Sequence, residues 1–260
     1  MHHLSGIQDI YMIRLSVVVI TFNEEKNIGR CLASVKAVAD EILVVDSTST
    51  DQTISIAQQY GARVIDHPFE GYGQQKNFGT NNAAYDWVLS LDADEELSPE
   101  LIASIQQIKE KQDFDVYEMP RLTNYCGQWI HHCGWYPDHQ TRLYNRTKGH
   151  WVERKVHEYW ALDAEGKKGL LKGDLLHYSF ASITEHLAKI EKYTELAARE
   201  GAAKGKKASL AIILFSPLWH FIDEYILKRG FLDGFAGYTI CKLSAFATFQ
   251  KYTRIRLYSK

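Results

Sequence analysis

The sequence predicts an α/β fold built on a mostly parallel, doubly wound sheet. Short runs of aliphatic residues alternate with segments of helical periodicity at least three times between residues 15 and 111. This alternation is typical of a parallel sheet that carries helices on both faces. Polar clusters follow three of the predicted strands, at 22–25, 46–51 and 92–96. Because ligands of such sheets bind beyond the carboxyl ends of the strands, the three clusters indicate one shared site.

Four short apolar runs predict the strands of this sheet. Runs of this kind, rich in Val, Ile and Leu, are expected of strands that are buried on both faces. The predicted strands are Leu15–Thr21, Glu41–Val45, Arg63–Asp66 and Trp87–Leu91.

Segments of helical periodicity separate and follow these strands. Gly61 marks the end of one helix and Pro99 the start of another, as their backbone preferences favour. The predicted helices are 28–35, Thr53–Tyr60, Gln74–Ala84, 99–111 and the long amphipathic segment Ser182–Lys204.

The remaining segments are less regular. Residues 115–176 are rich in Trp and Tyr and show no clear periodicity. The apolar stretch Leu210–Leu227 is interrupted by Pro217, His220 and two carboxylates, which argues against a membrane span.

Composition excludes several classes of function. The formal net charge of −2 and the pI near 6.6 give no electrostatic reason to expect a nucleic acid partner. Four irregularly spaced cysteines are too few for a disulfide scaffold and suggest reduced thiols in a cytoplasmic protein. The apolar run Leu15–Ile20 is too short for a signal peptide, so a cytoplasmic location is expected.

The triplet Asp92-Ala93-Asp94 directly follows the fourth predicted strand. In an extended backbone, residues two apart face the same side, so both carboxylates can meet one cation. Hard divalent ions such as Mg²⁺ and Mn²⁺ take oxygen ligands and complete their shell with substrate phosphates. We interpret the triplet as a site for a metal that bridges the protein and a nucleotide diphosphate. The alternative is a solvated acidic turn that caps the next helix.

Three motifs stand in chain order at the predicted strand ends: Thr21-Phe22-Asn23-Glu24-Glu25, Val45-Asp46-Ser47-Thr48-Ser49-Thr50-Asp51 and Asp92-Ala93-Asp94. Together they resemble the motifs of the family 2 glycosyltransferases, which have a nucleotide-binding α/β fold termed GT-A, and the similarity spans residues 14 to 180.

The resemblance implies a division of roles at the strand ends. Asp46 is expected to pair with a uracil ring and Asp92 to lie near the ribose and metal. Asp94 is expected to ligate the metal, Mn²⁺ or Mg²⁺. The expected neighbours of the nucleoside are Thr21, Asn23 and Glu25.

Two cations are candidates for binding the donor diphosphate. Lys76 follows a glycine turn, and similar enzymes carry a Gly-x-x-Gln-Lys-Asn stretch here. Arg142, in the strand-like segment Gln140–Tyr144, offers a planar fork that suits phosphate. The alternatives are a solvated helix N-terminus around Lys76 and a surface or interface role for Arg142.

Glu158, in Val156-His157-Glu158, is the candidate catalytic base. Transfer of a sugar to a hydroxyl group requires removal of the hydroxyl proton, and a nearby carboxylate suits this step. In the family, an acidic residue of the corresponding region takes this role. A salt bridge with Arg154 or Lys155 is the alternative. Glu95 is a rival base, although its position also suits capping of the following helix.

His177 is a candidate third metal ligand by the same resemblance. Neutral imidazole suits Mn²⁺ better than Mg²⁺. A buried, hydrogen-bonded histidine is the alternative.

A cluster between Cys126 and Cys133 includes two adjacent histidines, but its spacing does not match a standard zinc site. An aromatic acceptor loop with Trp129 and Trp135 is favoured, because sugar rings stack on indoles.

The acceptor end of the chain narrows the resemblance. His157-Glu158, His177-Tyr178-Ser179-Phe180 and Gly230-Phe231-Leu232-Asp233-Gly234 resemble bacterial enzymes that add a β-linked glucose to a heptose of the lipopolysaccharide inner core. The processive synthases of the family carry a Gln-x-x-Arg-Trp motif where this chain has Gln140-Thr141-Arg142-Leu143.

The resemblance therefore implies an inverting, metal-dependent transfer of a hexose, glucose from UDP-glucose, onto an inner-core heptose of lipopolysaccharide or lipooligosaccharide. Another glycan or a protein as acceptor stays open, as does a non-catalytic nucleotide-sugar-binding protein. A sugar-phosphate nucleotidyltransferase should carry a basic, glycine-rich loop after the first strand, where this chain has the acidic Phe22-Asn23-Glu24-Glu25.

We predict three regions: an extension at 1–13, a GT-A catalytic domain at 14–181 and a helical C-terminal extension at 182–260. The catalytic domain divides into a donor-binding half (14–114) and an acceptor half (115–181). The C-terminal extension interleaves basic and aromatic residues, which suits the anionic inner face of the cytoplasmic membrane. Peripheral attachment there, with a lipid-linked glycan acceptor, is expected. Helix packing against the catalytic domain or a sister subunit is the alternative.

Overall fold

A computed structural model describes residues 12–152, 158–163 and 165–259. The chain divides into two compact units. Unit 1 comprises the chain up to Arg121 together with His139–Leu176, and unit 2 comprises Leu122–Asp138 and His177–Lys260. The domain boundaries given above stay predictions.

Twelve strands are present in the described chain. In chain order they are β1 (Leu15–Thr21), β2 (Glu41–Asp46), β3 (Arg63–Asp66), β4 (Trp87–Asp92), β5 (Glu95–Leu97), β6 (Val116–Tyr125), β7 (Gln128–Ile130), β8 (Asp138–Asn145), β9 (Gly149–Val152), β10 (Tyr159–Leu162), β11 (Lys168–Leu170) and β12 (Leu175–Phe180).

The described helices also follow the predicted order. They are α1 (Ile28–Val35), α2 (Thr53–Gln59), α3 (Tyr72–Asn82), α4 (Pro99–Glu110), α5 (Ile183–Ala203), α6 (Leu210–Ile222) and α7 (Gly234–Tyr258), with 3-10 turns at Arg146–Lys148 and Gly230–Asp233 and a π-helical turn at Asp223–Leu227. The predicted strands and helices between residues 15 and 111 are confirmed, with bounds shifted by at most two residues.

The main sheet has the strand order β3-β2-β1-β4-β8-β6-β12-β5. Strand β1 pairs in parallel with both β2 and β4, and β2 pairs in parallel with β3. Strand β8 runs antiparallel to β4. The sheet is therefore mixed, with a parallel half that forms the amino-terminal part of the fold, as predicted.

The two faces of this sheet are each covered by a helix. Along β1, Val17 and Val19 pack in one apolar cluster with Leu32 of α1, whereas Val18 belongs to a second cluster. On that second face, Gly79 of α3 lies so close that an added Cβ would be 2.4 Å from Cγ1 of Val18. The alternating inward positions confirm the doubly wound arrangement.

The carboxyl ends of the central strands lie in register. Thr21 of β1 pairs with Asp46 of β2, and Ile20 pairs with Asp92 of β4. Three neighbouring strands thus end in polar residues at one edge of the sheet. This confirms the predicted convergence of the polar clusters.

Residues 115–176 are more regular than predicted. They contain strands β6 to β11 and the start of β12. The strand-like segment Gln140–Tyr144 is confirmed as part of β8, which shows why periodicity is weak in this region: the strand reads Asp-His-Gln-Thr-Arg-Leu-Tyr-Asn, and its buried residues include the charged Arg142. A strand that carries a buried ion pair lacks the continuous apolar run that identifies a core strand.

The start of α4 corrects one expectation. Ser98, not Glu95, caps this helix, because the Ser98 hydroxyl accepts a hydrogen bond from the Leu101 N–H at 3.2 Å. Glu95 instead lies in β5 with its side chain fully buried.

Unit 2 is dominated by α5, α6 and α7, which confirms the helical C-terminal extension. Ala198 of α5, Ile213 of α6 and Ile255 of α7 share an apolar cluster. Arg254 of α7 donates to both carboxylate oxygens of Glu191 on α5, at 2.5 and 2.6 Å. Apolar contacts and an ion pair thus fasten the last helix to α5.

One helical stretch of the described chain, Leu210–Leu227, is long and apolar enough to cross a membrane by length and composition alone. Its mean hydropathy is 1.4, and 11% of it is buried. The sequence argued against a membrane span because of the proline, histidine and carboxylates within this stretch. Mean hydropathy averages over these residues, so the two criteria differ.

Candidate active site

Five charged side chains of unit 1 form a continuous chain of alternating sign. Arg142 donates from one nitrogen to Glu95 Oε1 and to Asp92 Oδ2, both at 2.6 Å. The Lys76 ammonium lies 3.3 Å from Asp92 Oδ1 and 2.8 Å from Glu158 Oε1. The order is therefore Glu95, Arg142, Asp92, Lys76, Glu158.

Burial differs along this chain of charges. The side chains of Glu95, Arg142 and Lys76 are almost completely buried, whereas those of Asp92 and Glu158 are 27% and 21% exposed. Buried charges persist only when paired, and these are. The two carboxylates that a ligand can reach are thus Asp92 and Glu158.

The buried Arg142 is held as a cation. Burial by itself lowers the pKa of a guanidinium, but the neighbouring charges of Asp92 and Glu95 and their hydrogen bonds outweigh it and raise the pKa of Arg142. In this arrangement Arg142 orients Asp92. Its predicted role as a phosphate ligand stays a prediction.

Glu158 is held as an anion. Burial raises its pKa, but the charge and hydrogen bond of Lys76 lower the pKa of Glu158 below its ordinary value of 4.5. The carboxylate is therefore ionised at neutral pH and able to accept a proton. Of the alternative partners, Arg154 and Lys155 lie outside the described residues, as do Val156 and His157.

The polar loops after β1 and β2 are fastened to each other. Asn23, with φ +54°, donates its N–H to Ser49 Oγ and accepts from the Thr50 N–H through Oδ1, both at 2.8 Å. Glu25 Oε2 accepts from the Gln52 N–H at 3.2 Å. Asn23 and Glu25 thus shape the rim of the site, and contact with a nucleoside stays a prediction for them.

Asp46 and Thr21 lie deeper, at the strand ends themselves. The fully buried Asp46 accepts from the Ser49 N–H at 2.7 Å and from the Ser49 hydroxyl at 2.6 Å. Thr21 is also buried. Asp46 therefore stabilises the turn of its own loop, and its pairing with a uracil ring stays a prediction.

Asp94 is half-buried and lies in the turn between β4 and β5. The extended backbone expected across Asp92-Ala93-Asp94 is not found, because residues 93 and 94 form a turn. That both carboxylates meet one cation stays a prediction. Asp92 is instead drawn to two cations. Among the described residues, no group of three or more His, Cys, Asp or Glu side chains is arranged to hold a metal.

The carboxylate oxygens nevertheless fit a hard cation whose remaining ligands come from the substrate. Mg²⁺ and Mn²⁺ are commonly bound through one or two carboxylates, with substrate phosphates completing the shell. Asp94, close to the end of β4, offers such a carboxylate. His177 lies in β12 within unit 2, and its role as a metal ligand stays a prediction.

The aromatic loop of unit 2 divides into two environments. Trp135 packs against Tyr125 and Phe180, with ring centroids 6.0 and 5.8 Å apart, which favours a core role for its indole. Trp129 meets Tyr178 edge-on at 5.2 Å. Trp129 is thus the better candidate of the two for stacking on a sugar.

Sequence reasoning missed the contacts that hold the charged network together. Glu95 anchors Arg142, and Asn77 pairs with the backbone of Trp151. Asn77 had a signal, since it follows Lys76 in the Gly-x-x-Gln-Lys-Asn stretch. Trp151 had none, because 74 positions separate it from Asn77.

Residues 16–165 match the sequence profile of glycosyl transferase family 2. The chain belongs to this family. An uncharacterized glycosyltransferase of Rickettsia prowazekii (strain Madrid E) is 34% identical over 255 residues, covering 94% of this chain and 87% of the relative. The lipopolysaccharide core biosynthesis glycosyltransferase LpsC of Rhizobium meliloti (strain 1021) is 30% identical and covers 92% of this chain and 93% of LpsC.

A solved structure supports the assignment of the fold. The mannosyltransferase PcManGT from Pyrobaculum calidifontis, in complex with GDP-Man and Mn²⁺, matches with a TM-score of 0.51. The two sequences are 16% identical, and the match covers 90% of this family 2 glycosyltransferase and 74% of PcManGT. The likeness confirms the predicted GT-A-type α/β fold.

Proposed function

We propose that this family 2 glycosyltransferase is an inverting, metal-dependent hexosyltransferase that moves glucose from UDP-glucose onto an inner-core heptose of lipopolysaccharide or lipooligosaccharide. One observation carries the proposal: two accessible carboxylates, Asp92 and Glu158, flank the buried Lys76 at the carboxyl end of the sheet. The likeness to LpsC over most of both chains supports a core glycan as the acceptor.

Glu158 acts as the base. Its carboxylate accepts the proton of the acceptor hydroxyl while that oxygen attacks the anomeric carbon. The bond between the anomeric carbon and the diphosphate oxygen breaks on the opposite side, and its electron pair leaves with UDP. A single displacement inverts the centre, so an α-linked donor gives a β-linked product. Glu95 is unsuited to this role, because its side chain is fully buried against Arg142.

The donor binds at the strand ends. Asp92 lies near the ribose, and Lys76 and Arg142 supply positive charge toward the diphosphate. Asp46 serves the uracil ring. The nucleoside is further surrounded by Thr21, Asn23 and Glu25. The register of Thr21, Asp46 and Asp92 at one sheet edge supports this arrangement.

Asp94 would hold the divalent metal, Mn²⁺ or Mg²⁺, and the role of His177 as a further ligand stays a prediction. When bound, such an ion neutralises negative charge on the departing diphosphate. The protein's own contribution is the placement of Asp94 by the turn after β4 and the fixing of Asp92 by Arg142.

The enzyme works at the inner face of the cytoplasmic membrane, where a lipid-linked glycan acceptor is found. Helix α6 supports this attachment, because Leu214, Phe215 and Trp219 are 63–66% exposed. Exposed basic residues precede and follow the helix; they are Lys206, Lys207, Lys228 and Arg229. Aromatic and aliphatic side chains flanked by cations suit an anionic bilayer surface.

The test is a transfer assay with a lipopolysaccharide whose core ends at heptose. UDP-glucose, UDP-galactose and GDP-mannose are compared as donors, each with Mn²⁺ and with EDTA. We expect turnover of UDP-glucose, a β-linked product and loss of activity in EDTA. If none of the three donors is turned over, the chain is a binding protein and not an enzyme. If EDTA does not reduce turnover, the reaction does not depend on a metal.

A further inference from the structure

We propose that Asn77 is a positioning residue for Glu158, acting through Trp151 and Lys76. The inference rests on the proposed role of Glu158 as the base. It assigns a task to a side chain that touches neither carboxylate of the site.

The side-chain amide of Asn77 forms hydrogen bonds with both the backbone carbonyl and the backbone N–H of Trp151. Its Nδ2 donates to the carbonyl of Trp151 at 2.8 Å, and its Oδ1 accepts from the Trp151 N–H at 2.9 Å. A carboxamide carries a donor and an acceptor side by side, which neither a carboxylate nor an ammonium provides. Asn77 thereby fixes the position of Trp151 relative to α3.

The ring of Trp151 is fixed as well. Its Nε1 donates to the hydroxyl of Tyr144 at 2.9 Å, and that hydroxyl lies 2.8 Å from Thr80 Oγ1. Thr80 belongs to the same helix as Asn77. Hydrogen bonds therefore connect both the backbone and the indole of Trp151 to α3, the indole through Tyr144.

This fixed ring is a support for the Lys76 ammonium, which lies 5.0 Å from the ring centroid. A desolvated cation over an indole face is attracted to it. Lysine is a flexible side chain, so the place of its ammonium depends on what surrounds it. Here the surroundings are the Trp151 ring, Asp92 and Glu158.

The chain of contacts thus runs from Asn77 to Trp151, then to Lys76 and then to Glu158. Removal of the Asn77 amide leaves the backbone of Trp151 without its two bonds to α3, so its ring becomes a less fixed support for the Lys76 ammonium. Glu158 then accepts the proton from a less defined position. Because Lys76 is also proposed to face the donor diphosphate, affinity for UDP is expected to fall as well, but by a smaller factor than kcat, since the loops proposed to hold the nucleoside are not bonded through Asn77.

The experiment compares Asn77→Ala with the matched control Asn82→Ala. Asn82 also lies on α3, but its side chain donates only to Phe78 O of the same helix. With UDP-glucose and heptose-ended lipopolysaccharide, Asn77→Ala should lower kcat roughly ten- to hundredfold, as expected for a misplaced catalytic group. The Kd for UDP, measured by calorimetry, should rise by a smaller factor than kcat falls, and Asn82→Ala should match the wild type.

Two outcomes overturn the inference. One is an Asn77→Ala enzyme with wild-type kcat; the other is a loss of UDP affinity at least as large as the loss of kcat, which indicates a structural role for the helix. A wild-type protein without any transfer overturns the proposed function itself, whatever Asn77 does.

A second variant keeps the inference testable if Asn77→Ala does not fold. Trp151→Phe keeps the backbone bonds to Asn77 but removes the Nε1–Tyr144 bond, and it should also lower kcat by a larger factor than it weakens UDP binding. Where both variants fold, the double variant should lose less than the product of the two single losses, because both act along one path. Multiplicative losses would separate Asn77 from Trp151 and contradict the proposed path.

Discussion

The ammonium of Lys76 lies 2.8 Å from a carboxylate oxygen of Glu158, although 82 positions separate the two residues. The same ammonium lies 3.3 Å from Asp92. A single buried cation therefore joins the carboxylate proposed to serve the acceptor to the one proposed to serve the donor. This shared partner makes the charge state of Glu158 depend on Lys76.

Replacement of Lys76 should change how activity depends on pH. Burial and the Asp92 charge raise the pKa of Glu158, and Lys76 lowers it below 4.5. The base is thus lost only when pH falls through that lowered pKa, so the wild type should hold its kcat from about pH 8 to about pH 5. Lys76→Met removes the cation that lowers the pKa of Glu158, so this pKa rises. The kcat of the variant should therefore fall as the pH drops from about 8 to about 5.

The measurement is kcat at saturating UDP-glucose across this pH range. The exposed Lys36 gives a control, since Lys36→Met should keep the wild-type profile. Identical profiles for Lys76→Met and the wild type would mean that Lys76 does not tune the base.

Comparison of Glu158→Gln with Glu95→Gln should show which of the two carboxylates is the catalytic base. For Glu158→Gln we expect retained UDP binding and a loss of turnover of roughly a hundredfold or more, because the amide cannot accept the proton. Glu95→Gln should instead reduce stability, since Glu95 is the buried partner of Arg142. Transfer rates, UDP affinity and urea unfolding of the two variants check this, and a fully active Glu158→Gln enzyme removes Glu158 from the role.

The parallel half of the fold was predictable because its central strands β1 and β4 are buried on both faces. Strand β1 reads as a continuous aliphatic run, and a run of this kind has few other interpretations. The polar residues that end β1, β2 and β4 then had to meet at one sheet edge. The sequence therefore predicted that Thr21, Asp46 and Asp92 are neighbours in one site.

The internal chemistry of the site was not predictable in the same way. Arg142 binds Glu95 across 47 positions and Asp92 across 50, and an ion pair leaves no periodic trace in the sequence. The turn at Asp94 was one of two open interpretations, and the sequence did not decide between them because the residues of a short turn and of a strand end read alike. Pairing between distant side chains is decided by packing, which periodicity does not report.

Asp94→Asn should abolish the metal-dependent part of UDP binding. An amide oxygen is a neutral, weaker ligand than a carboxylate for a hard divalent ion. Calorimetric titration of UDP in Mn²⁺ and in EDTA measures the difference. Asp86→Asn is the control, because Asp86 is an exposed carboxylate paired with Arg146. Metal-dependent binding that persists in Asp94→Asn would argue against Asp94 as a ligand.

Arg142→Met should destabilise the protein by about 3–5 kcal/mol, the cost of breaking a buried ion pair from one side. It leaves the buried Glu95 without the cation that it contacts at 2.6 Å. Urea unfolding at pH 7 gives the free energy. Arg199→Met is the control: Arg199 is 70% exposed and pairs with Glu195, so its loss should cost less than about 1 kcal/mol. Equal effects of the two changes would mean that Arg142 is not structurally essential.

The exposed face of α6 should determine attachment to lipid. Leu214→Ser combined with Phe215→Ser removes two side chains that are each 66% exposed, so the fold should be retained while apolar area for the bilayer is lost. We expect cosedimentation with vesicles of anionic phospholipid to fall at least about tenfold, as two large apolar side chains no longer insert. Leu170→Ser, at a 62% exposed leucine of unit 1, is the matched control and should bind as the wild type does. If the double variant sediments like the control, α6 does not contact lipid; if the wild type ignores vesicles and self-associates through this face, the covering partner is a second copy of the chain.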